Sequence, residues 1–179
     1  AIRNEETIVS QVNSLVDYFD SRYTIRAVGT GVDNSTGDLT GILQQNVDWY
    51  IDDSYSSNKH TKLVINNANI LVNASVSNTD EAEKDKTKKY IYIQFEVSNE
   101  NIVEMLNVAK SLNNDLNAIE DAGNLMENCA EITSYTSYTD MNKTKLYAAV
   151  DKDSVPENAE PEDTATYEDD TDSAPPIAI

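Results

Sequence analysis

The chain has 179 residues, with 13 Lys and Arg against 32 Asp and Glu, which gives a formal net charge of −19. This charge repels the phosphate backbones that proteins usually bind through Lys and Arg, so direct nucleic-acid binding is not expected. No apolar run approaches the roughly 18 residues of a membrane-spanning helix, and we expect no membrane span. The single cysteine cannot close a disulfide within the chain. The length fits one compact domain with an appendage.

The N-terminal segment carries apolar residues at the spacing of an α-helix. They recur at intervals of three and four, which places them on one face of a helix over about residues 5–20. The residues of this stripe are Ile8, Val9, Val12, Leu15, Val16 and Phe19.

Alternation of apolar and polar residues predicts strands in the middle of the chain. The expected strands cover residues 23–28, 63–65, 70–76 and 90–97, the last being the most regular. Between them we expect a loop over Gly29–Asp38, a turn at Asn66–Asn69 and a charged hairpin tip over Asp80–Lys89. The type of the segment Gly41–Asp52 is left open.

A second amphipathic helix is expected after Ser98 or Asn99, either of which can cap it. Its apolar residues repeat at spacings of four and three until Gly123 supplies a stop. Two further strands are predicted over 132–138 and 145–150. The expected fold class is therefore α+β, with two amphipathic helices on a mostly antiparallel sheet. The expected core residues are Ile8, Val12, Leu15, Phe19, Ile91, Ile93, Phe95, Leu106, Leu112 and Leu116.

The composition changes near residue 150, which divides the chain into a compact domain over 1–150 and an acidic arm over 151–179. All four prolines and ten acids lie in the arm, beside the single cation Lys152. Such a segment is expected to be disordered alone and to order against a partner, with its apolar tip at Ile177 and Ile179 as the anchor. The alternative is a solvated tail that aids solubility.

Candidates for chemistry are weak, so we expect no enzyme and no cofactor. His60 lies in a polar run, and Cys129 lacks the local signature of an activated thiol. One His and one Cys cannot form a zinc site, and the Gly29–Gly31 pair lacks the rest of a phosphate loop. Calcium stays open at two acidic loops that lack the full ligand spacing, Asp33, Ser35 and Asp38 in one and Asp169, Asp170 and Asp172 in the other.

Tyrosine dominates the aromatic residues, with ten Tyr against two Phe and one Trp. Tyr is favoured at interfaces because one end of its side chain is apolar and the other forms hydrogen bonds. Tyr90 and Tyr92 fall on the outward face of the most regular strand. We therefore expect them either in an interface or in cross-strand packing on a half-solvated sheet.

The order helix, strands, helix, strands over residues 1–150 is similar to that of bacteriophage head–tail connector and tail-completion proteins. That resemblance implies a structural subunit that forms rings in a virion, assembles in the host cytoplasm and holds neighbouring proteins through an extended arm. It implies no site residues, because only the order of elements is alike.

An extracellular filament or surface-layer subunit is the alternative, and a small-ligand or calcium-binding module is a third. Three glycosylation sequons, at Asn34, Asn73 and Asn142, fit a secreted protein. Ala1 fits removal of an initiator Met in the first case and cleavage of a signal peptide in the second.

Overall fold

The computed structural model describes residues 2, 9–55, 60–73, 86–113, 128–138, 146–149 and 171–174, with the backbone alone for 108–113, 146–149 and 171–174. These residues form ten strands and one helix. In chain order they are β1 (Ser10–Asp20), β2 (Tyr23–Val32), β3 (Leu39–Leu43), β4 (Trp49–Ile51), β5 (His60–Ile65), β6 (Ile70–Val72), β7 (Tyr92–Val97), α1 (Asn99–Asn113), β8 (Asn128–Tyr138), β9 (Leu146–Ala149) and β10 (Thr171–Ala174).

The described strands make two antiparallel sheets. The larger sheet has seven strands in the order β10-β8-β1-β5-β4, with β6 also paired to β1 and β9 also paired to β8. The smaller sheet has the order β3-β2-β7. Since β1 has a partner along both of its edges, it lies at the centre of the larger sheet.

The main core lies between the two sheets. Phe19 of β1 packs on Phe95 of β7 with ring centroids 5.3 Å apart, and Tyr23 of β2 lies 5.1 Å from the same ring. Aromatic pairs at these distances stabilise a core beyond the area they bury. The buried members of this cluster are Val12, Leu15, Phe19, Val28, Trp49, Leu63, Ile65, Ala68, Ile70 and Val72.

The prediction of two amphipathic helices on a sheet is wrong, because the structure is mostly β-sheet with one helix of seven or more residues in its described part. The expected first helix is strand β1 from residue 10 onward. The pairing of β1 with β8 is irregular between Val12 and Leu15, and both residues belong to the core between the sheets although they are three positions apart. This irregular stretch contains the spacing of three that resembles a helix.

Both faces of β1 are buried, and this is the second reason why its sequence resembles that of a helix. Leu15 and Phe19 face the core between the sheets, while Val16 and Tyr18 belong to a second buried cluster on the other face. A central strand with two buried faces shows no apolar–polar alternation. Its sequence therefore fits the three- and four-residue spacing of a helix better than the apolar–polar alternation of a strand.

The second helix begins where the sequence predicts. The backbone N–H of Asn101 donates to Ser98 Oγ at 3.1 Å, so Ser98 is the N-cap. The predicted burial of Leu106 is wrong, because Leu106 is exposed and Met105 is buried instead. Leu112 lies in the part of α1 described by its backbone alone, and Leu116 and the predicted helix end lie outside the described residues.

The remaining strand predictions agree with β2, β5, β6, β7, β8 and β9, although their ends differ by a few residues. The glycine segment was predicted as a loop, but β2 continues to Val32 and only 33–38 connect it to β3. The segment left open contains the end of β3, a turn and β4. Ile91, Ile93 and Phe95 pack against the core as partly buried residues, and Ile8 lies outside the described residues.

Most of the predicted arm lies outside the described residues. Its described part, β10, pairs with β8 of the same chain. Within the described residues no helix is long and apolar enough to span a membrane.

Candidate functional site

The structure brings together the two tyrosines predicted for an interface. The rings of Tyr90 and Tyr92 lie 5.9 Å apart at an angle of 31°. Tyr90 is 45% exposed, whereas Tyr92 is half-buried and pairs across the ladder with Gly29, which has no side chain. The two rings therefore contact each other along one segment of the chain and not across two strands. Both the interface and the cross-strand packing of these tyrosines stay predictions.

Lysines precede this aromatic pair along the chain. Lys86 and Lys89 are exposed, and the backbone of Lys89 exchanges hydrogen bonds of 2.8 and 2.9 Å with that of Ile2. This bridge fixes the start of the segment against the N-terminal part of the chain. The other two predicted interface residues, Ile177 and Ile179, lie outside the described residues.

Helix α1 presents an exposed apolar surface that includes Leu106, which the sequence had predicted for the core. Ile102, Val103 and Leu106, which we name the α1 surface, are 39%, 56% and 38% exposed. They lie at i, i+1 and i+4 and so share one face of the helix. Apolar side chains exposed together on one face of a helix can form a protein–protein contact.

Polar contacts fix the first turn of α1 against the corner between β1 and β2. Asn101 Nδ2 donates to the backbone oxygen of Arg22 at 3.0 Å, and the Arg22 guanidinium forms an ion pair with Asp20. The Asp20 carboxylate raises the pKa of Arg22. The α1 surface therefore belongs to an anchored element.

The outer edge of β8 is covered by two separate segments. Strand β9 pairs with residues 135–138, and β10 pairs with residues 128–131, with Ser173 opposite Cys129 and Thr171 opposite Glu131. Cys129 and Glu131 are both buried. The described part of the arm thus completes the edge of the larger sheet.

A carboxylate lies in the core face of this sheet. Asp17 of β1 is 3% exposed, and Asn128 Nδ2 lies 3.1 and 3.2 Å from its two carboxylate oxygens. Burial raises the pKa of Asp17 to about 6, and the hydrogen bond from Asn128 opposes this shift. Sequence reasoning missed this group, although an acid within the apolar run of residues 15–19 was a usable signal.

A second buried charge, Lys62 of β5, lies on the other face of the larger sheet. Its Nζ is 3.7 Å from Asp52 Oδ2 and 5.9 Å from the centroid of the Tyr18 ring. Tyr55 packs on Tyr18 with ring centroids 5.2 Å apart. These contacts compensate for the burial of the ammonium group, so they point to a structural role.

The first predicted calcium loop is closed by its own hydrogen bonds. Asp33 Oδ1 accepts from the backbone N–H of Ser35 at 2.8 Å and from Ser35 Oγ at 2.6 Å. These bonds lower the pKa of Asp33 and form an Asx turn between β2 and β3. Asp169 and Asp170 of the other loop lie outside the described residues, and Asp172 belongs to β10.

The remaining chemical candidates lie apart from one another. His60 begins β5 and is half-buried, while Cys129 is buried in β8. In the part of the chain that the structure describes, no three His, Cys, Asp or Glu residues come close enough to hold a metal ion.

Comparisons with known proteins found no matching family model, no matching curated protein and no matching solved structure.

Proposed function

We propose that this chain is a non-enzymatic structural subunit that assembles with copies of itself. The exposed α1 surface carries the proposal, because an apolar patch on an anchored helix is stabilised when a partner removes it from water. A second copy is the partner we propose. Contact through an apolar surface needs no charge complementarity, which two copies with the same strong negative charge lack.

The first form of the proposal is a bacteriophage virion subunit in a connector, ring or tail-completion assembly, with its arm bound to neighbouring proteins. The resemblance was based on an element order that begins with a helix, whereas the first described element of the structure is strand β1. Support for association therefore comes from the α1 surface. In this form the protein assembles in the host cytoplasm.

The second form is an extracellular filament or surface-layer subunit. The two sequon asparagines in the described residues, Asn34 and Asn73, are both exposed, as glycosylation requires. The intact mass of protein from its natural source would reveal attached glycans. The symmetry of the assembly distinguishes a closed ring from an open filament.

The experiment replaces Leu106 with lysine and measures association by sedimentation and light scattering over a range of concentrations. Leu71→Lys is the matched control, since Leu71 is 37% exposed on β6 and Leu106 is 38% exposed on α1. Both variants change the net charge by the same amount. We expect Leu106→Lys to weaken association at least tenfold, on the order of 1.4 kcal/mol, and Leu71→Lys to leave it near the wild-type value.

Two results would contradict the proposal. A wild-type chain that stays monomeric at all concentrations would refute self-association. Equal association of the wild type and Leu106→Lys would show that the α1 surface does not form the contact. Circular dichroism of both variants checks that the fold is intact.

A further inference from the structure

The position of β10 on the sheet suggests how two copies could be joined. In the described part of the chain, this strand pairs four residues with the edge of β8, from Thr171 opposite Glu131 to Ala174 opposite Asn128. An uncovered edge presents unpaired N–H and C=O groups and readily accepts a strand from another chain. The edge of β8 at 128–131 is therefore a receptor for an added strand.

The connection between β9 and β10 is long enough for β10 to reach the β8 edge of its own chain or of another copy. Residues 150–170 separate the two strands, and about 20 residues can reach at most roughly 70 Å. This covalent limit does not confine β10 to the β8 of its own chain. In an assembly, neighbouring copies raise the local concentration of competing β8 edges.

We propose that β10 is exchanged between copies, so that β10 of one chain pairs with β8 of a second chain in the register that the structure shows. The argument for a second copy is that the fitting edge exists on every copy, so exchange requires no new surface. This inference rests on the proposed self-association and names a second contact, separate from the α1 surface.

The pairing of Ser173 with Cys129 provides a direct probe. Residues directly opposite in an antiparallel pair have Cα atoms about 4.5–5.5 Å apart, which is within the range that a disulfide spans. Cys129 is the single cysteine of the chain. A cysteine at position 173 therefore reports which β8 edge lies beside it.

The experiment mixes two full-length chains that each carry one cysteine. One is the wild type with Cys129, and the other is Cys129→Ala/Ser173→Cys with a small tag that changes its mass. After dissociation, joint reassembly and mild oxidation, a non-reducing gel separates tagged from untagged products. The matched control carries Asp172→Cys in place of Ser173→Cys, because position 172 lies opposite Ala130.

We expect a mixed disulfide between the two chains at a yield at least tenfold above that of the Asp172→Cys control. The single variant Ser173→Cys, which keeps Cys129, is then expected to give covalent oligomers. If this variant gives only a disulfide within one chain and the mixture gives none, exchange is wrong. Absence of any disulfide involving Cys129 refutes exchange as well, because the proposed register would not form.

Sedimentation of the wild-type chain distinguishes a failure of strand exchange from a failure of the proposed self-association. An assembled wild type without the mixed disulfide leaves self-association standing and refutes exchange alone. A wild type that stays monomeric refutes both.

Discussion

At the scale of single residues, the most consequential group is the buried carboxyl of Asp17. Its pKa of about 6 lies above the ordinary value of 3.8, and burial is the main cause. The folded state therefore binds this proton more tightly than the unfolded state does. The contribution of Asp17 to the free energy of unfolding therefore falls as pH rises from about 4 to about 6, because the folded state must give up a proton that it binds tightly. Above pH 6 the folded state carries the full cost of burying the ionised carboxylate.

Asp17→Asn is expected to remove this cost. An Asn is nearly isosteric and can still accept a hydrogen bond from Asn128, but it carries no charge to desolvate. We expect the free energy of unfolding at pH 7.5 to increase by about 1–3 kcal/mol, measured by urea denaturation.

The pH dependence identifies the cause of that gain. The difference in stability between Asp17→Asn and the wild type should be largest above pH 6 and should shrink as pH falls toward 4. Asp53→Asn, at an exposed position, removes one negative charge without changing burial and serves as the control. A gain for Asp17→Asn that is equal at pH 4 and pH 7.5 would contradict the assignment to desolvation.

At the scale of elements, sequence patterns predicted the strands with one buried face and failed at the central strand. Ile93 and Phe95 alternate with polar residues because one side of β7 faces the core and the other faces solvent. Strand β1 has two buried faces and an irregular pairing with β8, and neither its partners nor its register are encoded locally. The prediction of a helix there was therefore wrong because contacts with strands far away in the sequence determine the conformation of β1.

Helix α1 shows a different limit of the sequence. Its cap at Ser98 depends on local hydrogen bonding and was predictable. Which side of the helix is buried depends on where the corner between β1 and β2 lies, and this corner receives Asn101. The pattern of Ile102 and Leu106 predicts an apolar face without saying what covers it.

A substitution at Gly29 of β2 would test how closely β2 and β3 approach each other. A Cβ at this position would lie 2.7 Å from the backbone oxygen of Thr40, which cannot move without disturbing the pairing of the two strands. We expect Gly29→Ala to reduce the free energy of unfolding by about 1–3 kcal/mol in thermal or urea denaturation.

Gly37→Ala provides the comparison for that substitution. Gly37 has φ of +80° and open space around it, so alanine there adds only backbone strain of about 1–2 kcal/mol. The two variants should also differ in kind, because Gly29→Ala is expected to disturb the β-sheet signal in circular dichroism. A Gly29→Ala protein as stable as the wild type would show that β2 and β3 lie farther apart.

At the scale of the whole molecule, the sequence predicted part of the candidate surface. Tyr90 and Tyr92 were identified from strand alternation, and the structure brings their rings together. The pairing of β10 with β8 was not predictable, because residues far apart in the chain set its register. The composition of the arm indicated a need for a partner, but it did not indicate which strand edge would receive it.

The net charge of −19 gives the proposed assembly a defined response to salt. Copies of a strongly acidic chain repel one another, whereas contact through Ile102, Val103 and Leu106 depends on burial of apolar surface. Added salt screens the repulsion over a Debye length of about 10 Å at 0.1 M and about 3 Å at 1 M, and it leaves the apolar contact in place.

Association of the wild type is therefore expected to strengthen about tenfold or more between 0.05 and 0.5 M NaCl, measured by sedimentation equilibrium at constant pH. The Leu106→Lys variant should gain much less, because screening cannot restore the lost apolar contact. Weaker association of the wild type at high salt would mean that ion pairs between acidic residues of one copy and lysines of another dominate the interface. In that case the basic segment that contains Lys86 and Lys89, rather than the α1 surface, would be the contact to mutate next.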